Sequence, residues 1–494
     1  MRASTRLQWR RQRTKLVGLA ALAVTGLVAF ADVQVTPVVG RGGTAPTGVV
    51  AGQSILGSID LFGTVAESGG IGGAAVVHQM AIDFAPDDYR AMIAAYVADG
   101  TKRYIRATVV IDGTRIDNVG VRLKGNSTLE DAVFFPQPEE DGDIVFDDDA
   151  AEAAGSNALD FNTEVADDPS LVPLLIRFDW FVAGQRYQGY DEIAMRFAAY
   201  GMAGFNEAVG LEMIGAVGEP VQQWAYSTVT INGGPAQLRL LVEVPTAAFV
   251  ARNFDHPGVL YRATGESLFD FVGDDPALYA DQFEQIAPPG PVDLTPVIDL
   301  IRWTGQASDD EFAAGLAERV ELDSLAEYLA AHTTINNWDD MGGGGRNYYL
   351  WYDLTTRRFT VVSWDVNLAF YRSVFRQRDA DARADQPLPA PVQDDNGDWF
   401  VDLQPVLVGD PGSNNLLKTR FLDTPAFAAR YDAAVAADCA TLIDGGAAAS
   451  SFAAIVQTVL ASGAVTPADI HDEVDVMRTA LVLKSDQCQR TPTN

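Results

Sequence analysis

The sequence is poor in positive charge. It has 35 lysine and arginine residues against 67 aspartate and glutamate residues, which gives a formal net charge of −32 and a pI near 4.3. An acidic surface repels the phosphates of nucleic acids and of anionic lipids. We therefore expect neither a nucleic acid nor an anionic membrane as a partner. Lysine is scarce even among the basic residues, with five lysines against thirty arginines.

The apolar stretch near the N-terminus is too short for a comfortable membrane span. Arginines and Lys15 precede Leu16–Phe30, and Ala29-Phe30-Ala31 forms an A-x-A cleavage site. A spanning helix needs about twenty apolar residues. We therefore predict a signal peptide over residues 1–31, cleaved after Ala31, and a secreted protein without stable membrane insertion.

Cysteine and histidine are also scarce. The two cysteines, Cys439 and Cys488, lie near the C-terminus, and in an exported chain such a pair favours an intrachain disulfide over catalysis or metal binding. The four histidines are His78, His256, His332 and His471. They share no spacing typical of metal ligands, so the sequence gives little support to a zinc hydrolase or a histidine-centred triad.

Length and composition predict more than one folding unit. The residues after the signal peptide are too many for a single compact core, and 48% hydrophobic residues excludes general disorder. Residues 32–75 are rich in small residues and glycine, which predicts a flexible N-terminal linker. Residues 130–169 are strongly acidic with few apolar anchors, which predicts an insertion. The folded domain is therefore expected to cover residues 76–494.

Hydrophobic periodicity predicts strands in the first part of the chain and mostly helices in the second. Alternation predicts strands at Val77–Phe84, Arg103–Ile111, Asn118–Leu123, Leu171–Phe181, Trp224–Ile231 and Gln237–Val244. Helical spacing predicts helices at Asp88–Val97, Phe205–Gly215, Pro291–Thr304, Asp309–Arg319 and Leu322–Thr334, with three more between residues 424 and 487.

A predicted hairpin carries the most informative residues. Two aromatic strands, Asn347–Tyr352 and Arg358–Trp364, flank a polar turn. Asp339 or Asp340 lies on the glycine-rich loop before the first strand, and Asp365 follows the second. Carboxylate oxygens are the ligands that hard divalent cations prefer. Paired aspartates also suit phosphoryl transfer, in which one orients the nucleophile and another holds Mg²⁺.

The same stretch resembles a known family. The segments N-W-D, then N-Y-Y-L-W, then W-D-V-N-L-A-F follow one another as in the CotH kinase family, named after a bacterial spore-coat protein. That resemblance implies a secreted, atypical relative of the protein kinases. It implies an α+β fold of two lobes, with a strand-rich N-lobe at about residues 76–250 and a helical C-lobe at about residues 251–494. The cleft between the lobes would use ATP with Mg²⁺ or Mn²⁺.

The resemblance also implies roles for the hairpin residues. Asp339 would orient the acceptor hydroxyl, and Asp340 is the alternative because the glycine-rich loop looks longer than usual. Asp365 would bind the metal ion that bridges the nucleotide phosphates. Asn367 or Asn347 would complete the metal shell or orient the loop. The expected acceptor is a serine or threonine of an exported protein.

An earlier segment, G-V-R-L-K-G-N-S-T at residues 120–128, resembles the first signature of the family. Gly125, Asn126 and Ser127 would let the backbone approach an anion closely. Lys124 or Arg122 would supply positive charge. We therefore include Lys124, Asn126 and Ser127 among the candidate nucleotide-binding residues.

One departure from the family concerns the lysine of the central strand. The family pattern K-x-K-F-D corresponds here to Leu175 and Arg177. In kinases a strand lysine pairs with a helix glutamate and contacts the phosphates, and arginine is not its equivalent. Three alternatives follow. Arg177 takes the place of the lysine with a different geometry, Lys124 takes it from the neighbouring strand, or the nucleotide site is weakened. Glu207 is placed like the helix glutamate, and Glu243 would lie near an adenine pocket.

Two other functions stay open. A non-catalytic pseudokinase would keep the fold and serve as an extracellular structural or binding module. Metal-assisted hydrolysis at the same aspartates is a further enzymatic alternative, although the order of the motifs makes it less favoured than phosphate transfer.

Overall fold

The structure, a computed structural model, describes most of the chain from the first barrel strand to the last helix. The described residues are 54–57, 59–62, 77–125, 129, 163–196, 204–343, 346–370, 392–393, 399–400 and 415–490. The predicted signal peptide and most of the acidic insertion lie outside them, as do Asn126 and Ser127.

The first half forms a closed seven-stranded barrel. Its strands are β2 (Val77–Phe84), β3 (Ile105–Ile111), β4 (Thr114–Leu123), β5 (Leu174–Arg177), β7 (Glu192–Met195), β8 (Trp224–Ile231) and β9 (Gln237–Glu243). Around the barrel the order is β2-β3-β4-β5-β7-β9-β8, and the barrel closes through a parallel pairing of β8 with β2. Alternating side chains of these strands fill the interior, where Ile82, Val109 and Val121 are fully buried.

Two helices accompany the barrel. Helix α1 (Pro86–Asp99) packs Tyr89, Met92 and Ile93 onto the barrel core. Helix α2 (Phe205–Ala216) is buried on all sides, because it lies between the barrel and the second half of the chain. A helix that is apolar all round is typical of such a central position. Helix α2 also carries Glu207, so this burial determines the environment of that carboxylate.

The second half packs helices around an antiparallel sheet. The sheet order is β11 (Phe283–Ala287), β10 (Gly258–Ala263), β12 (Tyr348–Asp353) and β13 (Phe359–Ser363). The helices before the hairpin are α3 (Ala247–Asn253), α4 (Thr295–Gln306), α5 (Asp309–Gly315) and α6 (Leu322–Thr334). Helix α6 leads directly into the loop before β12. The predicted hairpin is therefore part of a larger sheet.

The chain ends in a helical region joined by a disulfide. Its helices are α7 (Leu416–Asp423), α8 (Pro425–Asp438), α9 (Ala447–Ala461) and α10 (His471–Arg490). A π-helical turn, Cys439–Asp444, follows α8. Cys439 and Cys488 form the predicted intrachain disulfide, which ties α10 to that turn. Two short ribbons complete the described strands: β1 (Ser54–Ile55) with β6 (Arg186–Tyr187), and β14 (Val392–Gln393) with β15 (Trp399–Phe400).

The prediction of an α+β protein is confirmed. The two-lobed kinase fold is not confirmed at this level, because the strand-rich half is a closed barrel and the second half contains a four-stranded sheet. The predicted strand Leu171–Phe181 is wrong in length: only Leu174–Arg177 pairs, since Pro173 lacks an N–H and the residues after Arg177 turn. Part of the predicted linker is packed, because Leu61 and Phe62 are buried against the barrel.

Within the described residues no single helix has the length and hydropathy of a membrane span. One bent pair, Pro425–Asp444 with Ala447–Ala461, meets those criteria jointly.

A buried carboxyl group makes the stability depend on pH. The side chain of Asp438 is buried, and burial together with the neighbouring carboxyl group of Glu327 on α6 raises the pKa of Asp438 to about 8. A raised pKa in the folded state means that this contribution to stability is complete below the unfolded-state pKa, near 3.8, and is lost as the pH rises through about 8. We expect the melting temperature of Asp438→Asn to fall less between pH 5 and 9 than that of the parent. Thermal denaturation at several pH values tests this, and parallel curves would contradict it.

Candidate active site

Four charged side chains meet where the barrel faces the second half. Arg196 directly follows β7 and forms ion pairs with both Glu207 of α2 and Asp365, which follows β13. The distance from Arg196 Nη1 to Asp365 Oδ1 is 2.8 Å. Lys124 Nζ lies 3.7 Å from the other oxygen of Asp365. Two cations from the barrel therefore converge on one aspartate.

The barrel register explains why two distant cations meet. Strands β4, β5 and β7 pair side by side, with Arg122 opposite Leu175 and Leu175 opposite Ala194. Two residues further along, just past the ends of β4 and β7, the same row reaches Lys124 and Arg196. Side chains two positions apart on a strand point to the same face. Lys124 and Arg196 therefore lie on the face that meets the second half.

Burial and mutual charge set the ionisation of the group. Burial would raise the pKa of Asp365, but Arg196 and Lys124 outweigh it and hold that pKa below its usual value. Burial raises the pKa of Glu207 even with Arg196 beside it. Burial, with Arg196 nearby, lowers the pKa of Lys124 to about 8. Asp365 is therefore a carboxylate at neutral pH and is able to serve as a metal ligand.

The backbone around Asp365 is held against α2. Asp365 has a φ of 55°, in the left-handed region. Asn206 of α2 donates hydrogen bonds to the backbone carbonyls of Asn367 and Ala369. A Cβ added at Gly210 would lie 3.0 Å from the Cβ of Ala369, so the close approach of the helix favours glycine there. The segment that carries Asp365 is thus positioned by the helix that carries Glu207.

Asp339, on the loop before β12, is contacted by Asn347 at the start of the hairpin. Asn347 donates a 2.9 Å hydrogen bond from Nδ2 to Asp339 Oδ2. Tyr348 pairs with Ser363, so the next position outward places Asn347 beside the residues that lead into Asp365. Asp339, Asn347 and Asp365 therefore lie at the same end of the hairpin.

The carboxylate of Asp340 is occupied by contacts within the protein. Its carboxylate is buried, forms an ion pair with Lys418 of α7 and accepts a 2.8 Å hydrogen bond from the backbone N–H of Gly342. Asp339 is only half-buried. The geometry therefore favours Asp339 over Asp340 as the residue that meets an acceptor.

The sequence is similar to one known protein family. The sequence model of the CotH kinase protein family matches residues 173–459, which is more than half of the chain. The chain belongs to the CotH kinase family. The first signature, residues 120–128, lies outside that match, whereas the Asp339 loop, the hairpin and Glu207 lie inside it.

Similarity to solved structures and to curated proteins is low. A solved structure of the Helicobacter pylori proinflammatory kinase CtkA is 10% identical, and the match covers 60% of this chain and 90% of that one. Its TM-score is 0.23, which is too low to support an argument about fold or mechanism. None of the curated proteins matches the sequence.

Arg196 is the residue that sequence reasoning missed in this CotH family member. Residues 193–196 read I-A-M-R, which resembles the V-A-I-K strand motif of protein kinases with arginine at the position of lysine. Arg196 precedes the start of α2 by nine residues, and this order of strand cation and helix glutamate is the feature of the sequence that indicates Arg196. The ion pair of Arg196 with Glu207 joins a cation at the end of a strand to a glutamate on a helix, the same residue types that form the lysine–glutamate pair of protein kinases.

Two predicted residues have other partners. Arg177 pairs with Asp179 at 2.7 Å and lies four residues, about 13 Å, along the sheet from the Lys124 row. Arg177 is therefore not the partner of Glu207, which corrects the sequence-based alternative that gave it the lysine's part. Glu243 is buried in an ion pair with Arg252 and accepts a hydrogen bond from the backbone N–H of Gln223. Its carboxylate is engaged in holding the end of β9.

The residues at the hairpin fit a divalent cation of the kinase type. Among the described residues no group of three or more histidine, cysteine or acidic side chains could hold a metal. A kinase site takes only an aspartate and an asparagine from the protein, and the remaining oxygens come from phosphates and water. Asp365 supplies the ionised carboxylate. Asn347 uses its amide nitrogen on Asp339, and its amide oxygen is the atom with ligand chemistry.

Proposed function

We propose that this protein is a secreted, metal-dependent protein kinase of the CotH family. It transfers the γ-phosphate of ATP to a serine or threonine of an exported protein. The barrel acts as the upper lobe and the sheet with its helices as the lower lobe of a kinase-like arrangement. The observation that carries the proposal is the convergence of Arg196 and Lys124 on Asp365, with Glu207 behind Arg196.

Each charged residue has a defined task in this proposal. Asp365, with Asn347 or Asn367, would hold Mg²⁺ or Mn²⁺, which when bound would supply positive charge against the phosphates. Arg196 is oriented by Glu207 and contacts the phosphates. Lys124 adds a second positive charge from the end of β4. Arginine can form two parallel hydrogen bonds to phosphate oxygens, so it supports this task with a geometry different from that of lysine.

In this proposal Asp339 directs the acceptor. The acceptor hydroxyl donates its proton towards Asp339 while its oxygen forms a bond to the γ-phosphorus. The bond between that phosphorus and the bridging oxygen breaks, and ADP leaves with the electron pair. Asn347 fixes the Asp339 carboxylate through its 2.9 Å hydrogen bond. The position of the Asp339 carboxylate is therefore set at the same end of the hairpin at which Asp365 lies.

Labelled ATP separates this proposal from its alternatives. The mature protein is incubated with γ-labelled ATP, Mg²⁺ or Mn²⁺, and proteins or peptides that contain serine and threonine. Metal-dependent label on those residues supports the kinase. Release of labelled phosphate without protein labelling indicates hydrolysis. Absence of both, together with absence of nucleotide binding, contradicts the kinase.

Substitution distinguishes the two aspartates of the loop. We expect Asp339→Asn to lower phosphate transfer by about 10²- to 10⁴-fold with an unchanged melting temperature, because it removes a proton acceptor that is half-buried. We expect Asp340→Asn to lower the melting temperature, because it leaves Lys418 without its carboxylate partner. Kinetic assays and thermal denaturation of both variants test this. An unchanged transfer rate in Asp339→Asn would reject its assigned task.

A pseudokinase is the second candidate, and one observation favours it. Arginine stands at the place of the strand lysine, and both oxygens of Asp365 face protein cations. A protein that used these ion pairs only to hold its two halves together would be a structural or binding module. Such a protein would bind no nucleotide, and Asp365→Ala would leave binding to its partner unchanged.

A further inference from the structure

The last helix, α10, contacts the start of the loop that carries Asp339. Lys484 Nζ donates a 2.8 Å hydrogen bond to the carbonyl oxygen of Thr333, in the last turn of α6. The same ammonium lies 3.3 Å from Oδ1 of Asn336. A cation at the C-terminal end of a helix also interacts favourably with the helix dipole. Lys484 therefore joins the end of α6 to the first residues of the loop.

Asn336 is held from both ends of its amide. Its Nδ2 donates to Oε1 of Gln487 at 3.3 Å, while its Oδ1 faces Lys484. Asn336 has a φ of 52°, so the chain turns through the left-handed region at this residue. Asp339 follows three residues later. The direction in which the loop leaves α6 is therefore coupled to two side chains of α10.

The disulfide fixes the turn of α10 that provides these contacts. Lys484 and Cys488 are four residues apart, which places them on the same face of the helix. Cys488 is bonded to Cys439 in the π-helical turn after α8. Gln487 directly precedes Cys488. A covalent bond therefore limits the movement of the residues that hold Asn336.

Burial of the Lys484 ammonium has an energetic cost that its contacts must offset. Its side chain is buried, and within the described residues no carboxylate lies within ion-pair distance of it. A buried ammonium without a counter-ion is unfavourable for folding, whereas an apolar side chain of the same length would avoid that cost. What the ammonium provides in return is its pair of hydrogen bonds, to the carbonyl of Thr333 and to the side chain of Asn336.

We propose that Lys484 is a positioning residue for phosphate transfer, acting through Asn336 with Gln487 and the Cys439–Cys488 disulfide as supports. It sets the path of the loop so that Asp339 meets the acceptor hydroxyl. The proposal rests on the proposed kinase function. It extends that function by giving the C-terminal helix a part in the chemistry, beyond closing the fold.

The test compares Lys484→Met with Arg478→Met, a matched control on an exposed part of the same helix. We expect Lys484→Met to lower kcat at least tenfold with KM for ATP unchanged within twofold, and Lys484→Arg to recover part of the loss. Amide hydrogen exchange of residues 335–343 should rise in Lys484→Met and stay unchanged in Arg478→Met. Gln487→Ala, a substitution at an exposed position, should change both measurements in the same direction by a smaller factor.

The hydrogen exchange measurement separates failure of this proposal from failure of the kinase function. If the parent protein transfers no phosphate, the kinase function fails, yet faster exchange confined to residues 335–343 still supports the role of α10. Unchanged exchange and unchanged kcat in Lys484→Met overturn it. Equal increases in exchange across the barrel and the loop also overturn it, because they show general destabilisation.

Discussion

Replacing Asp365 by asparagine should abolish metal-dependent phosphate transfer while the protein stays folded. The substitution removes the carboxylate that we assign to the metal and keeps the side-chain size. We expect a loss of about 10³-fold or more in transfer, because electrostatic stabilisation of the phosphates is the main contribution to this chemistry. Titration of the parent and Asp365→Asn with ATP, in the presence and absence of Mg²⁺, measures the effect. Mg²⁺ should strengthen ATP binding to the parent only.

The structural control for Asp365→Asn is its melting temperature. Arg196 keeps its ion pair with Glu207 in this variant, so only part of the buried charge network is lost. We therefore expect a moderate decrease in melting temperature and a native circular dichroism spectrum. Equal metal-dependent transfer by the variant and the parent would remove Asp365 from the site.

Arg196 carries the second large effect. Arg196→Met should lower kcat/KM for ATP by about 10²- to 10³-fold, because the phosphates lose a buried cation. Arg196→Lys should retain more activity than Arg196→Met, since the ammonium can still pair with Glu207. Arg177→Met is the comparison variant, because Arg177 pairs with Asp179 at a distance from this row.

Steady-state kinetics of the three variants tests this assignment. Arg196→Met leaves Glu207 and Asp365 without their shared partner, so its melting temperature should fall as well. The ratio of Arg196→Lys to Arg196→Met activity therefore matters more than the absolute loss. A larger loss in Arg177→Met than in Arg196→Met would reverse the assignment and support the sequence-based alternative.

Local patterns predicted much of the fold. The pattern of the sequence predicts the strand Val77–Phe84 with the bounds that the structure has, and both strands of the Asn347–Trp364 hairpin form as two apolar, aromatic runs around a polar turn indicate. The two cysteines are bonded as an exported chain suggests. Such features depend on residues close in sequence, or on chemistry that admits few partners.

Long-range register was beyond the sequence. Arg196 meets Lys124 because β4, β5 and β7 pair side by side, and nothing near either residue specifies that pairing. The same limit applies to Lys418 on Asp340 and to Lys484 on Asn336, because each lysine comes from a helix far along the chain. Barrel closure depends on the parallel pairing of β2 with β8 and is equally non-local.

The most direct test of the central claim is a crystal structure with a non-hydrolysable ATP analogue and Mn²⁺, whose anomalous scattering locates the ion. We predict an ion directly bound to a carboxylate oxygen of Asp365, with Arg196 and Lys124 turned to the phosphates. Mn²⁺ and nucleotide bound elsewhere, with both cations still on Asp365, would contradict it.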